Sequence, residues 1–196
     1  MINSVTRVIS NSRSIGSLPQ KRLYKKVSQR RRQNHDCCNL EISIYGELVM
    51  LLNIFIKELE QEEIKNALSL IRRVFQEYEA PDYTKEGVEE FYKSINNKHY
   101  ISELCFYGAF VKKRLVGVIA TRNKGTHIAL FFVDGKYHRQ GIGKELFQTV
   151  RTRNYSDKIT VNSSPYAVPI YHKLGFKDMA TEQVVNGLRF TPMKLE

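Results

Sequence analysis

Cysteine is scarce in this chain of 196 residues, which has three: Cys37, Cys38 and Cys105. Two of them are adjacent, and there is no Cys-x-x-Cys pair and no His/Cys spacing suited to zinc. This argues against a disulfide framework and against a metal site, and it favours a reducing, cytoplasmic setting. Long apolar runs are also missing. Hydrophobic residues make up 42% of the composition, yet no run approaches the roughly 20 residues that span a bilayer. Membrane association is therefore not expected. No internal repeat is present. Acidic residues are missing at one end, since none precedes Asp36.

What is present begins with charge. The formal net charge is +11, and nine basic residues against three acidic ones fall within residues 1–49. The remainder is only mildly basic. Residues 1–40 are rich in Ser, Asn, Arg and Lys, without a sustained apolar period of either kind, so a disordered extension is expected there. Three readings of it compete. It could be a nucleic-acid arm centred on Arg30-Arg31-Arg32. It could be a transit peptide, being Arg- and Ser-rich and poor in acid. Or translation could begin at Met50, because Gly46-Glu47 is encoded GGN-GAR, which can spell a purine-rich ribosome-binding sequence upstream of that codon. The expected division is a basic extension over 1–49 and a folded domain over 50–196.

Within the domain the pattern alternates. Ile54-Phe55-Ile56 begins a strand. Ile64, Leu68, Ile71, Val74 and Phe75 recur at helical spacing and predict a helix over Gln61 to Tyr78, broken at Ala80-Pro81-Asp82. A second helix is expected over Glu86 to Ile95. Strands follow at Glu103 to Val111 and Leu115 to Thr121, joined by a hairpin at Lys112-Lys113-Arg114. A strand over 127–133 leads to a helix from about Gly141 to Arg153, with Ile142, Leu146, Phe147 and Val150 inward. Lys158 to Val161 reads as a strand and Pro165 to Leu174 as a short helix. Phe176 to Met179 and Leu188 to Met193 complete the sheet.

The chemistry concentrates after the apolar run Ile128 to Val133. There His138-Arg139-Gln140-Gly141-Ile142-Gly143-Lys144 joins a buried strand to a helix start. Such a junction aims unpaired N–H groups and the positive end of a helix dipole at one point, which suits a phosphate or pyrophosphate. Side chains at Gly141 and Gly143 would hold an anion off the backbone. Two familiar phosphate loops fail on spacing. Gly143-Lys144 is followed by Glu145 rather than Ser or Thr, and Leu146 stands where a dinucleotide fingerprint needs Gly or Ala.

The loop resembles the pyrophosphate loop of the GNAT acyltransferases, whose pattern is Gln/Arg-x-x-Gly-x-Gly/Ala, although His138 stands at the first position. A second segment, Val161 to Phe176, is similar to the other half of a GNAT site: Tyr171 precedes Gly175-Phe176 by the family's spacing. The resemblance covers about residues 53–196. It implies a mixed, mostly antiparallel α/β sheet with a splayed strand pair and helices on both faces. It also implies an acyl-CoA, usually acetyl-CoA, as cosubstrate. Phe131, Phe132 and Val133 would pair through their backbone with the pantetheine arm, and one N–H, that of Phe131, would face the thioester oxygen. Arg139, Gln140, Gly141, Ile142, Gly143 and Lys144 would cradle the pyrophosphate. Ser164 falls where many relatives have an Asn contacting the coenzyme. Tyr171 is the expected general acid for the departing thiolate.

The general base is left open. The position of the Glu that some relatives carry is Ile159 here. Glu79, Asp82, Glu103, His127 and His172 are the alternatives. Glu77 to Tyr83 and the hairpin near Val184 to Arg189 should shape the acceptor site, whose carboxylates suit a cationic amine. The expected activity is transfer of an acetyl group from acetyl-CoA to a primary amine, on a small molecule or a protein, by direct attack in a ternary complex. The rival is a non-catalytic acyl-CoA- or RNA-binding module on the same scaffold, with nucleic acid engaged only through the basic extension. A homodimer stays open.

Overall fold

The computed structural model describes residues 53–154 and 158–196. The basic extension, its three readings and the boundary at 49/50 lie outside the described residues. Strands β1 (Ile54–Glu58), β2 (Cys105–Val111), β3 (Arg114–Arg122) and β4 (His127–Val133) pair in sequence, each antiparallel to the last. β5 (Thr160–Ser163) joins β4 in parallel, and β8 (Leu188–Leu195) and β6 (Phe176–Asp178) follow, giving the order β1-β2-β3-β4-β5-β8-β6. β7 (Gln183–Val185) pairs with the first residues of β8. This is the mixed, mostly antiparallel sheet that the sequence leads one to expect.

Helices cover both faces. On one, α1 (Gln61–Tyr78) buries Ala67, Leu70, Ile71, Val74 and Phe75 at spacings of one to four residues, the stripe a 3.6-residue period gives. Its start is tied by the Glu60 N–H donating to Glu63 Oε2 at 3.0 Å, and a 3₁₀ turn at Ala80–Asp82 follows its end. α2 (Lys85–Asn96) begins where Thr84 Oγ1 accepts from the Gly87 N–H at 3.2 Å. These helices pack on Phe106, Val118, Leu130 and Phe132 of the sheet. The opposite face carries α4 (Ile142–Arg153) and α5 (Val168–Lys173), packed on Ile119, Ile128, Val161 and Met193. No helix among the described residues is long and apolar enough to cross a membrane.

Most departures from the expected bounds are fraying by one to three residues. Two have specific causes. α3 (Lys98–Ser102) lies where no element is expected: five residues are too few for a periodic signal, and Asn97 starts them by accepting from the Tyr100 N–H at 3.1 Å. The strand expected from Glu103 therefore begins at Cys105. The short helix expected from Pro165 begins at Val168, because Ser164 to Ala167 form a turn first.

One close approach positions the site. Gly187, in the Asn186-Gly187 turn between β7 and β8, has φ +74° and lies directly against Gly87 of α2. A Cβ at Gly87 would collide with the Gly187 carbonyl oxygen, and backbone cannot move aside as a flexible side chain can. Gly87→Val should thus lower the denaturant midpoint at unchanged slope, a loss of about 1–3 kcal/mol. Chemical unfolding followed by circular dichroism measures it.

Candidate active site

The site starts at a parting of strands. β4 pairs with β5 only at His127↔Thr160 and Ile128↔Val161. Two local features end the pairing. Ala120 faces Leu130 while Thr121 faces Ile128, so Ala129 is an extra residue that bends β4. On the other side, Pro165 soon follows β5 and has no N–H to extend a ladder. β8 holds β5 away from β4, through Asn162↔Pro192 and Ser163↔Thr191. Past Ile128 the β5-facing edge of β4 is left without a strand partner, which is the opening an extended ligand can pair with.

Beyond β4 the chain is pinned. Asp134 is buried, its Oδ1 accepting from the Lys136 N–H at 3.1 Å and its Oδ2 lying 2.8 Å from Arg73 and 3.6 Å from Arg114. Nothing in the sequence pattern singles out this anchor. His138, the departure from the family pattern, donates from Nε2 to the Val133 carbonyl at 2.8 Å and packs on the Tyr78 ring at 4.9 Å. Gln140 Nε2 donates to the Lys136 carbonyl at 2.8 Å, so its side chain closes the loop. Arg139 and Gly141 take φ values of +60° and +86°. This twist delivers the chain into α4 with the Ile142, Gly143 and Lys144 N–H groups lacking an acceptor among the described residues. Arg139 and Lys144 are exposed at the rim. The free N–H groups and the dipole of a twelve-residue helix fit an anion such as a pyrophosphate.

A cavity of about 390 Å³ lies along the earlier part of β4 and crosses the gap to β5. It is lined by Phe131, Phe132, Ser164 and Tyr171 among the expected site residues, whereas Val133 and the loop 139–144 lie past it toward the C-terminal end of β4. Tyr171 is 4% exposed, held edge-on to Phe176 and Phe131 at 5.2 and 6.1 Å. Its hydroxyl makes no hydrogen bond to a described residue. Burial, and then the charge of Glu79, push its pKa above the usual phenol range, which keeps the proton on oxygen.

Glu79 ends α1 and faces the same cavity. It is half-buried, opening on that cavity. Burial raises its pKa to about 7, the nearby Ser164 hydroxyl lowers it in part, and Asp82 raises it further. Ser164 Oγ is buried and has no bond of normal geometry, so it stands beside the carboxyl as an uncommitted hydroxyl. The other base alternatives lie elsewhere or are occupied. Ile159 is core. Glu103 faces His99 at 3.6 Å and His172 pairs with Asp178 at 2.7 Å, and neither lines the cavity. Asp82 does not line it either. His127 does, but burial, then the charge of Arg122, lower its pKa to about 4.

The acceptor wall forms from the expected segments. Tyr83 donates from its hydroxyl to the Arg189 carbonyl at 3.1 Å, joining the chain after α1 to the last hairpin. Two charged lining residues were outside the sequence reading, Glu90 of α2 and Arg122 of β3. The signal for Arg122 is a charge continuing the inward alternation Val118, Ala120.

Comparison with known proteins agrees with this geometry. The profile described as "Acetyltransferase (GNAT) domain" matches residues 79–196. A GCN5-related N-acetyltransferase from Rhodopseudomonas palustris superposes with a TM-score of 0.64 at 18% identity, over 72% of this chain and 94% of that one. The PaiA N-acetyltransferase from Thermoplasma acidophilum, solved in complex with coenzyme A, gives 0.57 at 18% identity over 73% and 98%. Apo YjaB from Escherichia coli gives 0.58 at 18% over 72% and 96%. At such identities the likeness establishes the fold alone. No curated protein gives a significant match.

Proposed function

The chain belongs to the GNAT acetyltransferase family, and we propose that it moves the acetyl group of acetyl-CoA to a primary amine by direct attack in a ternary complex. One observation carries this reading: Tyr171 and the Glu79 carboxyl face a single cavity along the unpaired edge of β4. The residues fit the cosubstrate. The free N–H groups of Ile142, Gly143 and Lys144 would hold the pyrophosphate, with Arg139 and Lys144 adding charge at the rim. The open edge of β4 at Phe131 to Val133 would pair with the pantetheine arm, and Ser164 would border it.

The proton traffic follows from the side chains. Glu79 takes a proton from the attacking ammonium, freeing the nitrogen lone pair for the thioester carbon. The Phe131 N–H donates to the carbonyl oxygen as it gains negative charge. When the carbon–sulfur bond breaks, Tyr171 gives its proton to the sulfur. These two groups help one another: Glu79 is neutral once it holds the first proton, and its charge is part of what makes Tyr171 a poor acid. Taking up the first proton thus strengthens the donor of the second.

The test is acetyl-CoA consumption by the full chain across a panel of amines, polyamines, amino acids and peptides. Turnover with an amine is expected, and binding of acetyl-CoA without turnover on any of them would favour the non-catalytic rival. The loop assignment has its own test. A Cβ at Gly143 would meet only ordinary contact, the Phe131 ring at 3.5 Å, so the fold tolerates a side chain there. Gly143→Glu should therefore weaken coenzyme affinity at least tenfold by charge and bulk alone. Unchanged affinity by calorimetry would remove the loop from the site.

A further inference from the structure

Two guanidinium groups line the cavity, and they are in opposite states. Arg189 is committed: Nε and Nη2 donate to Glu182 at 2.9 and 3.1 Å, and Nη1 to the Asp82 carbonyl at 3.1 Å. Arg122 makes no hydrogen bond or ion pair with any described residue, and its Nε is buried without an acceptor. A buried donor of a charged group without a partner is costly, because water is lost and nothing replaces it. Glu90, which lines the same cavity, pairs with Lys93 at 3.3 Å. Arg122 is the last residue of β3, across from His127, and it shares the cavity with Tyr100.

On the acyl-transfer reading above, we infer that the acceptor is a small amino carboxylate, its carboxylate held by Arg122 and its amine, several bonds away, facing Glu79. The guanidinium fork matches a carboxylate through two parallel N–H donors, with Nε as one of them. Spacing sets the separation. From Arg122 along β3 to Ile119, which faces Phe131, is three strand residues, about 10 Å. An amine on the carbon next to its carboxylate spans little of that distance, whereas one at the far end of an aliphatic chain covers more of it. Charge sets the class as well. The cavity wall already bears Glu79 and Glu90, so a singly charged carboxylate meets less repulsion than a phosphate.

The test compares 6-aminohexanoate with hexylamine, which keeps the amine and chain and deletes the carboxylate. Calorimetric binding to the full chain, with and without saturating coenzyme A, is read beside turnover. Wild-type protein should bind 6-aminohexanoate at least tenfold more tightly than hexylamine. Arg122→Gln should erase that difference while leaving hexylamine and coenzyme affinity unchanged. Arg122→Lys, which keeps the charge but not the fork, should restore part of it. Equal binding of the two amines, binding of neither, or a preference that survives Arg122→Gln would overturn the inference. Binding of 6-aminohexanoate without turnover would count against acyl transfer instead, and the binding comparison would still decide the role of Arg122. Glycine and lysine as further ligands report the separation: lysine should be preferred, and preference for glycine would overturn the spacing.

Discussion

Tyr171→Phe is expected to cut turnover roughly 10²-fold while leaving coenzyme affinity and the fold intact. The substitution deletes one hydroxyl and nothing else. The ring keeps its edge-on packing against Phe176 and Phe131. No protein hydrogen bond is lost, so unfolding should change by less than about 0.5 kcal/mol. The pantetheine and pyrophosphate contacts proposed above involve β4 and the start of α4, not the phenol. The measurement needs an acceptor for which chemistry limits the rate, since slow product release would mask the loss. A loss confined to KM would assign Tyr171 to binding. A near-normal rate would make it a packing residue, and water would have to protonate the sulfur.

The place of Tyr171 on the cavity wall agrees with two sequence signals that meet at it: a family spacing ahead of Gly175-Phe176 and a glycine loop earlier in the chain. The fold was legible for a simpler reason. α1 and β4 have apolar periods long enough to show, and they stand at the expected bounds. The hairpin at Lys112-Lys113 was also expected, although its turn places two lysines at φ +49° and +68°, where Asn and Gly are usual. What was hidden depends on contacts between distant segments. Glu79 and Ser164 are 85 positions apart in sequence, and no local pattern shows that one approaches the other. The buried anchoring of Asp134 by Arg73 and Arg114 is of the same kind. Arg122 lay between these cases. It stands one residue past the strand expected over Leu115 to Thr121, and its lack of a partner needs the whole cavity.

Glu79→Gln should lower kcat by roughly 10²–10³-fold and, at alkaline pH, make the protein more stable. Both effects come from one displaced ionisation. The folded-state pKa of Glu79 is about 7, against 4.5 for the unperturbed group. A carboxyl raised on folding favours the folded state below about pH 4.5, and that contribution is lost as pH rises through 7. At pH 8 the wild-type chain holds a charge that burial disfavours, at a cost of at most about 3 kcal/mol. Glutamine removes that charge, so the variant should unfold at higher denaturant than wild type at pH 8 and show no such gain at pH 4. Activity runs the other way. A general base works only when ionised, so wild-type kcat/KM should fall as pH drops below about 7, and the variant should lack that limb. Ser164→Ala sharpens the comparison. The serine hydroxyl holds the Glu79 pKa down, so its removal should move the limb to higher pH without abolishing it. Wild-type rates in the glutamine variant would eliminate Glu79 as the base, whatever its effect on stability. A slow variant with no pH-dependent gain in stability would mean that the carboxyl is not destabilised by burial, and its reach into the catalytic pH range would then lack a cause.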